Sequence, residues 1–221
     1  MDGWPRTEAE ALAVQAGIRE RADAVGPGPE GVRLIAGVDV AYQVEGERVA
    51  AAVVVLDAGT LEVVEQATAV GEAKFPYVPG LLAFREIPPV LDAMAGLSRR
   101  PDLLVCDGYG YAHPRRVGLA VHLGVLLDLP CFGVAKSPFL YRHGELGPER
   151  GATAALTDGE EVVGRAVRTR AGVKPVYVSV GHRVGLAEAC AYTLALTAGG
   201  FRLPESTRRA DRACRDALSR G

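Results

Sequence analysis

No apolar run in this chain reaches the ~18 to 20 residues of a membrane span, so a transmembrane helix is not expected. The first residues, MDGWPRTEAEALA, lack the charged, apolar and small-residue zones of a secretory signal, and a cytoplasmic protein is expected. Cysteine is sparse. Cys106, Cys131, Cys190 and Cys214 are far apart and form no CxxC pair, which argues against a zinc site or a disulfide framework and leaves them as packing residues. Internal repeats and low-complexity tracts are missing, and strong charge of either sign is missing too, the formal net charge being −2. Near-neutrality does not announce a nucleic-acid binder. Yet arginines cluster locally, at Arg115 and Arg116, at Arg168 and Arg170, and from Arg208 to Arg215, so one face can still be basic. At 221 residues, 48% hydrophobic, the chain can bury the core of a single domain spanning 1–221.

Periodicity and punctuation outline the elements that are present. Thr7 followed by Glu10 forms a capping-box signature for a helix running to about Val25, where GPGPE breaks it. Strand-like segments at 32–43, 49–57 and 61–70 are joined by turns too short for anything but antiparallel neighbours. A helix over 81–97 is expected to be interrupted at Pro88 and Pro89. Strand 102–107, helix 117–129 and strand 131–137 then alternate, which implies a parallel continuation of the sheet with right-handed crossovers. A hairpin of 160–170 with 173–180 and two helices, 185–197 and 205–218, complete the chain. The fold class is therefore α/β, a mixed sheet of three antiparallel strands continued by parallel strands, with helices on both faces. That order of elements is similar to the ribonuclease-H-like fold of many metal-dependent nucleases. Fold alone does not establish function.

The segment LLVCDGYGYAHPRR concentrates the chemistry. Asp107 ends an apolar strand, where an ionised carboxylate suffers a large desolvation cost unless a metal, a cation or donor groups compensate it. A glycine-rich loop and the pair Arg115 and Arg116 follow, ready to receive an anion. Asp39 poses the same problem inside GVDVAY, since Val38 and Val40 occupy one strand face and Asp39 the other, in a run that reads as buried on both. Glu86 in LLAFRE reads, by itself, as an ordinary solvated helix glutamate. Three such carboxylates suit a hard divalent ion, magnesium above all, and with it phosphodiester hydrolysis.

The segments GVDVAY, FPYVPGLLAFRE, DGYGYAHPRRVGLAVHLG, GVAKS and VKPVYVSVGHRVGL resemble the successive motifs of the endonuclease V family, the deoxyinosine 3′ endonucleases, in order and spacing. The resemblance implies that Asp39, Glu86 and Asp107 are the catalytic acids, Asp39 and Asp107 binding magnesium directly and Glu86 acting in the same cluster, with manganese as a substitute. It implies catalytic roles for Lys136, which otherwise reads as a solvated strand-end lysine, and for His182 near the metal, which otherwise reads as a loop histidine. Tyr77 of PYVPG matches the family's wedge, whose ring fills the stack when a lesion nucleotide turns out; the bland alternative is a packing contact in a rigid turn. Pro79 stiffens that loop. Gly80, Leu82, Gly108 and Gly110 match positions around the base pocket, where glycine lets backbone approach a flipped base; tight turns account for them equally well. His113 is a substrate or loop-orienting residue, Arg115 and Arg116 read as strand-backbone contacts, His122 as a packed helix residue.

The function implied is a magnesium-dependent DNA repair endonuclease that cuts the second phosphodiester 3′ to deoxyinosine, leaving 3′-hydroxyl and 5′-phosphate ends. Its partner would be inosine-containing DNA, or inosine-containing RNA, met by a monomer without a membrane. The alternatives are a non-catalytic inosine-binding protein and another ribonuclease-H-like nuclease acting on RNA or branched DNA.

Overall fold

A computed structural model describes residues 3–26, 28–43 and 46–220. Helix α1 (Glu8–Arg21) opens as its capping box dictates: Thr7 Oγ1 accepts from the Glu10 amide at 3.3 Å and Glu10 Oε2 accepts from the Thr7 amide at 3.2 Å. It stops four residues short of Val25. Ala22 turns to an extended conformation, and the next amide, Asp23 N–H, is taken by His182 Nδ1 at 3.1 Å, so a long-range contact ends the helix before its sequence breaker.

Strands β1 (Leu34–Tyr42), β2 (Arg48–Asp57) and β3 (Val63–Glu72) form the expected antiparallel meander, with Tyr42 opposite Val49 and Arg48 opposite Glu72. Helix α2 (Ala83–Ala95) runs through Pro88 and Pro89 without interruption, contrary to the sequence expectation. Proline at 88 lacks the N–H that would bond to the Phe84 carbonyl; Trp4 Nε1 donates to that oxygen instead, at 2.9 Å, so the break is repaired from outside the helix. Strand β4 (Leu103–Asp107), helix α3 (Leu119–Leu127) and strand β5 (Cys131–Ala135) follow, β4 parallel to β1 and β5 parallel to β4.

Three further strands return antiparallel: β6 (Thr153–Asp158), β7 (Glu161–Val167) and β8 (Val176–His182), giving an eight-stranded order of β3-β2-β1-β4-β5-β8-β7-β6. The β7–β8 pairing was expected and β6 was not, because this edge strand is short and mostly exposed and leaves no apolar run to read. Helices α4 (Leu186–Ala195) and α5 (Glu205–Ser219) close the chain. The four cysteines are buried and unpaired, as expected of packing residues.

Two apolar layers hold the sheet. Ile35, Val54, Leu103, Val105 and Phe132 face α4 and α5, while Val38, Val53, Leu104 and Cys106 face α2 and α3. Gly37 lets α5 lie directly on β1, since a Cβ there would overlap the backbone of Ser206. No helix among the described residues is long and apolar enough to cross a membrane.

Candidate active site

Parallel pairing puts two acids side by side. Val38 is opposite Cys106, so the next residues, Asp39 and Asp107, emerge together where the pairing of β1 with β4 ends, on the α5 face. Lys136 stands one residue beyond β5 and pairs its ammonium with Asp107. From the opposite face the first turn of α2 brings the buried Glu86 to the same end of the sheet, where Tyr42 Oη donates to Glu86 Oε1 at 3.5 Å. Burial first, then the charge of Asp107, pushes both Asp39 and Glu86 up to about 8. Lys136 is held above its ordinary value, because the hydrogen bond and charge of Asp107 outweigh its partial burial.

Asp39 Oδ1 accepts from the Val40 amide at 2.8 Å, but its Oδ2 is buried without a partner. Such an oxygen costs about 1–3 kcal/mol or more unless something binds it. Among the described residues the acids do not, as they stand, form a group of three that could hold a metal ion. Their chemistry nevertheless fits a hard divalent cation: buried oxygens with raised proton affinity, one of them orphaned, beside a second carboxylate.

A fourth acid, missed in the sequence, joins them. Asp211 of α5 lies 3.9 Å from the Lys136 ammonium, and its charge helps to raise Asp39. Within α5 it also accepts from Arg215 at 3.1 Å, a pattern that reads in sequence as an ordinary solvated i,i+4 pair. Only the packing of α5 over Gly37 carries it to the acids.

His182 is not brought to this cluster, and here the expectation is corrected. Because β8 runs antiparallel to β5, His182 sits opposite Cys131, at the start of β5 and the far end of the sheet from Lys136. Its ring accepts from Asp23 and faces Asp128 Oδ1 at 3.5 Å, so it joins α1, α3 and β8.

Beside the acids a cavity of about 240 Å³ opens between the loop Tyr77 to Leu82 and a wall made by Asp107, Gly108, Tyr109 and Val117 to Leu119. It is smaller than the ~300 Å³ lower bound of drug-sized pockets and is mostly apolar, as a site for a single planar base would be. Glu86 and Asp107 line it, so cavity and acid cluster share a border. Tyr77 at its mouth is 70% exposed, free to enter a base stack. Pro79, Gly80, Leu82, Gly108 and His113 also line the cavity. Gly108 adopts φ +147°, open to glycine but strained for other residues. Gly110 lies behind the wall, where its N–H donates to Ser179 Oγ at 2.8 Å and a Cβ would meet the Val180 carbonyl.

His113 and Arg115 point at the loop. His113 Nδ1 accepts from the Arg115 amide, so Nε2 carries the proton and donates to the Gly80 carbonyl at 3.0 Å. Burial and then the Arg115 charge bring His113 down to about 4, which keeps it a neutral donor at pH 7. Arg115 Nη2 donates to the same carbonyl at 2.8 Å. Arg116 is occupied within the fold: it is buried, bonded to Asp158 at 2.6 Å, to Glu161 at 2.5 Å, to Tyr141 Oη at 2.8 Å and to the His113 carbonyl at 3.0 Å. The expected backbone contact by Arg116 therefore conflicts with its place in the fold, where it ties the β6–β7 hairpin to the active-site loop.

The family model described as Endonuclease V matches residues 17–212. The chain is 64% identical over 217 residues to the Endonuclease V of Streptomyces coelicolor, covering 98% of this chain and 93% of the relative. The crystal structure of Endonuclease V from Streptomyces avermitilis superposes with a TM-score of 0.96 at 60% identity, covering 100% of this chain and 96% of that one. The Ciona intestinalis Endonuclease V, solved in complex with a 24mer DNA containing an inosine followed by a ribo-adenosine, superposes with a TM-score of 0.82 at 28% identity, covering 96% and 98%. With its ribonuclease-H-like mixed sheet, paired strand-end acids and adjoining base-sized cavity, this chain belongs to the Endonuclease V family of endonucleases.

Proposed function

We propose that this protein hydrolyses DNA at deoxyinosine, cutting the second phosphodiester 3′ to the lesion and leaving 3′-hydroxyl and 5′-phosphate ends. The observation that carries the reading is the shared border of the two parts: Asp107 lines the base-sized cavity and also pairs with Lys136 of the acid cluster. Asp39 and Asp107 would hold magnesium, with Glu86 in the same cluster and manganese as a substitute. When bound, such an ion polarises the phosphate, activates a water and stabilises the leaving oxygen. The chain's own groups do the rest. Tyr77 stacks in the gap left by the turned-out nucleotide and offsets the few kcal/mol of unstacking. The cavity holds the base and excludes water around it. Lys136, steadied by Asp107 and Asp211, sets a positive charge where a non-bridging phosphate oxygen gains negative charge. The position of the cut is an inference from family resemblance.

Incubation with an inosine duplex and magnesium, followed by end-mapping of the products, tests the reading. A nick one nucleotide beyond the inosine's 3′ neighbouring bond is expected, lost on chelation and restored by magnesium or manganese. No nick above an undamaged control would overturn it. An inosine-containing RNA arm belongs in the same assay, because the Ciona relative was crystallised with a ribonucleotide after its inosine.

A further inference from the structure

One buried amide takes no part in the chemistry above. Gln15 of α1 is 1% exposed, a position where each polar atom needs a partner. Its Nε2 donates to the Gly80 carbonyl at 3.2 Å and to the Val117 carbonyl at 2.9 Å, and its Oε1 accepts from Arg115 Nε. Gly80, on the Tyr77-to-Leu82 loop, and Val117, on the segment that enters α3, both line the cavity. A single planar amide thus bridges the two walls, and the fixed angle between its N–H bonds sets how far apart the carbonyls lie. Gly80 adopts φ +81°, a backbone conformation open to glycine and strained for other residues, and so presents its carbonyl to all three donors.

We propose that Gln15 is a positioning residue that fixes the width of the base cavity, and so decides which base the protein admits. This rests on the reading of the cavity as the pocket of a turned-out base. Gly80 O accepts from Gln15, His113 and Arg115 at once, which leaves it no lone pair with which to read a base. The loop is therefore gripped from behind, and the base edge is left to other main-chain groups. Either wall can move only by breaking a buried hydrogen bond. Such stiffness discriminates between bases, because selectivity depends on contacts that hold for one substrate and fail for another.

The test compares cleavage of matched inosine and undamaged duplexes by the wild type, Gln15→Met and Gln15→Glu, with thermal melts alongside. Methionine fills the space without donors; glutamate keeps the acceptor for Arg115 but loses both donors. Both variants are expected to raise KM for inosine about tenfold, leave kcat within about threefold, and narrow the inosine preference about tenfold, the equivalent of one lost buried hydrogen bond. Wild-type KM and selectivity in Gln15→Met would overturn the assignment, as would equal losses on both substrates or wild-type behaviour in Gln15→Glu. A wild-type protein that cuts both duplexes alike would overturn the base-pocket reading as well.

Discussion

The acid cluster and the Arg116 knot are both buried charge, yet they are resolved in opposite ways. Arg116 meets two carboxylates, a tyrosine hydroxyl and a backbone carbonyl, and lies over the rings of Tyr111 and Tyr141 at 5.5 and 5.6 Å. Its charge is neutralised inside the fold. Asp39, Glu86, Asp107 and Asp211 have a single lysine among them, an exposed arginine at the rim, and an Asp39 oxygen with no partner at all. A charged group satisfied by its own chain contributes to structure, whereas one left wanting a cation is kept for chemistry.

Substitutions break this contrast in graded ways. Asp39→Asn or Asp107→Asn is expected to cut single-turnover nicking by about 10³-fold or more, the size of a lost metal contribution, while substrate binding in a shift assay survives. Arg116→Met should instead lower the unfolding free energy by about 1–3 kcal/mol, read from the denaturant midpoint, because the His113 carbonyl and the Tyr141 hydroxyl lose their donor, while the half-exposed Asp158 and Glu161 turn to water. Asp211→Asn, beside the Lys136 ammonium, should slow cleavage by about 10- to 100-fold through Lys136, worth about 1.4–2.8 kcal/mol. A smaller effect separates a third buried group from both. His122, packed on Trp4 and Phe84 without a hydrogen bond, is brought down to about 4, chiefly by burial. Its folded value lies below its unfolded one near 6.5, so its contribution is complete above about pH 6.5 and fades as the pH falls toward 4. Between pH 7 and 4.5 this amounts to about 2 kcal/mol, and His122→Phe should flatten that part of the stability curve. Least of all, His182→Gln should change cleavage by less than about threefold, under 0.7 kcal/mol, since its ring is at the far end of the sheet.

Much of the site was legible because charge in an apolar strand is conspicuous. Asp39 and Asp107 stand out from Val38, Val40, Val105 and Cys106 without any knowledge of the fold. Glu86 did not, since a helix glutamate looks solvated until a motif or a structure shows it buried. Asp211 hid among arginines for a similar reason: its i,i+4 partner Arg215 gives it a complete surface explanation. The helix break expected at Pro88 failed because the repairing donor, Trp4, is remote in sequence. Gln15 carried no signal, as a glutamine on a helix is commonplace until its burial is known.

Sequence alone determined the order of elements apart from β6, the capping of α1, the parallel crossover of β4 and β5 and the two strand acids. All of these follow from local period, turn length and the cost of burying charge. Tertiary structure decided which distant groups meet. The antiparallel return of β8 carried His182 away from the acids, the packing of α5 on Gly37 brought Asp211 to them, and the Gln15 amide joined two cavity walls. The direction of β8 against β5 and the docking of α5 are set by long-range burial, which local patterns do not encode.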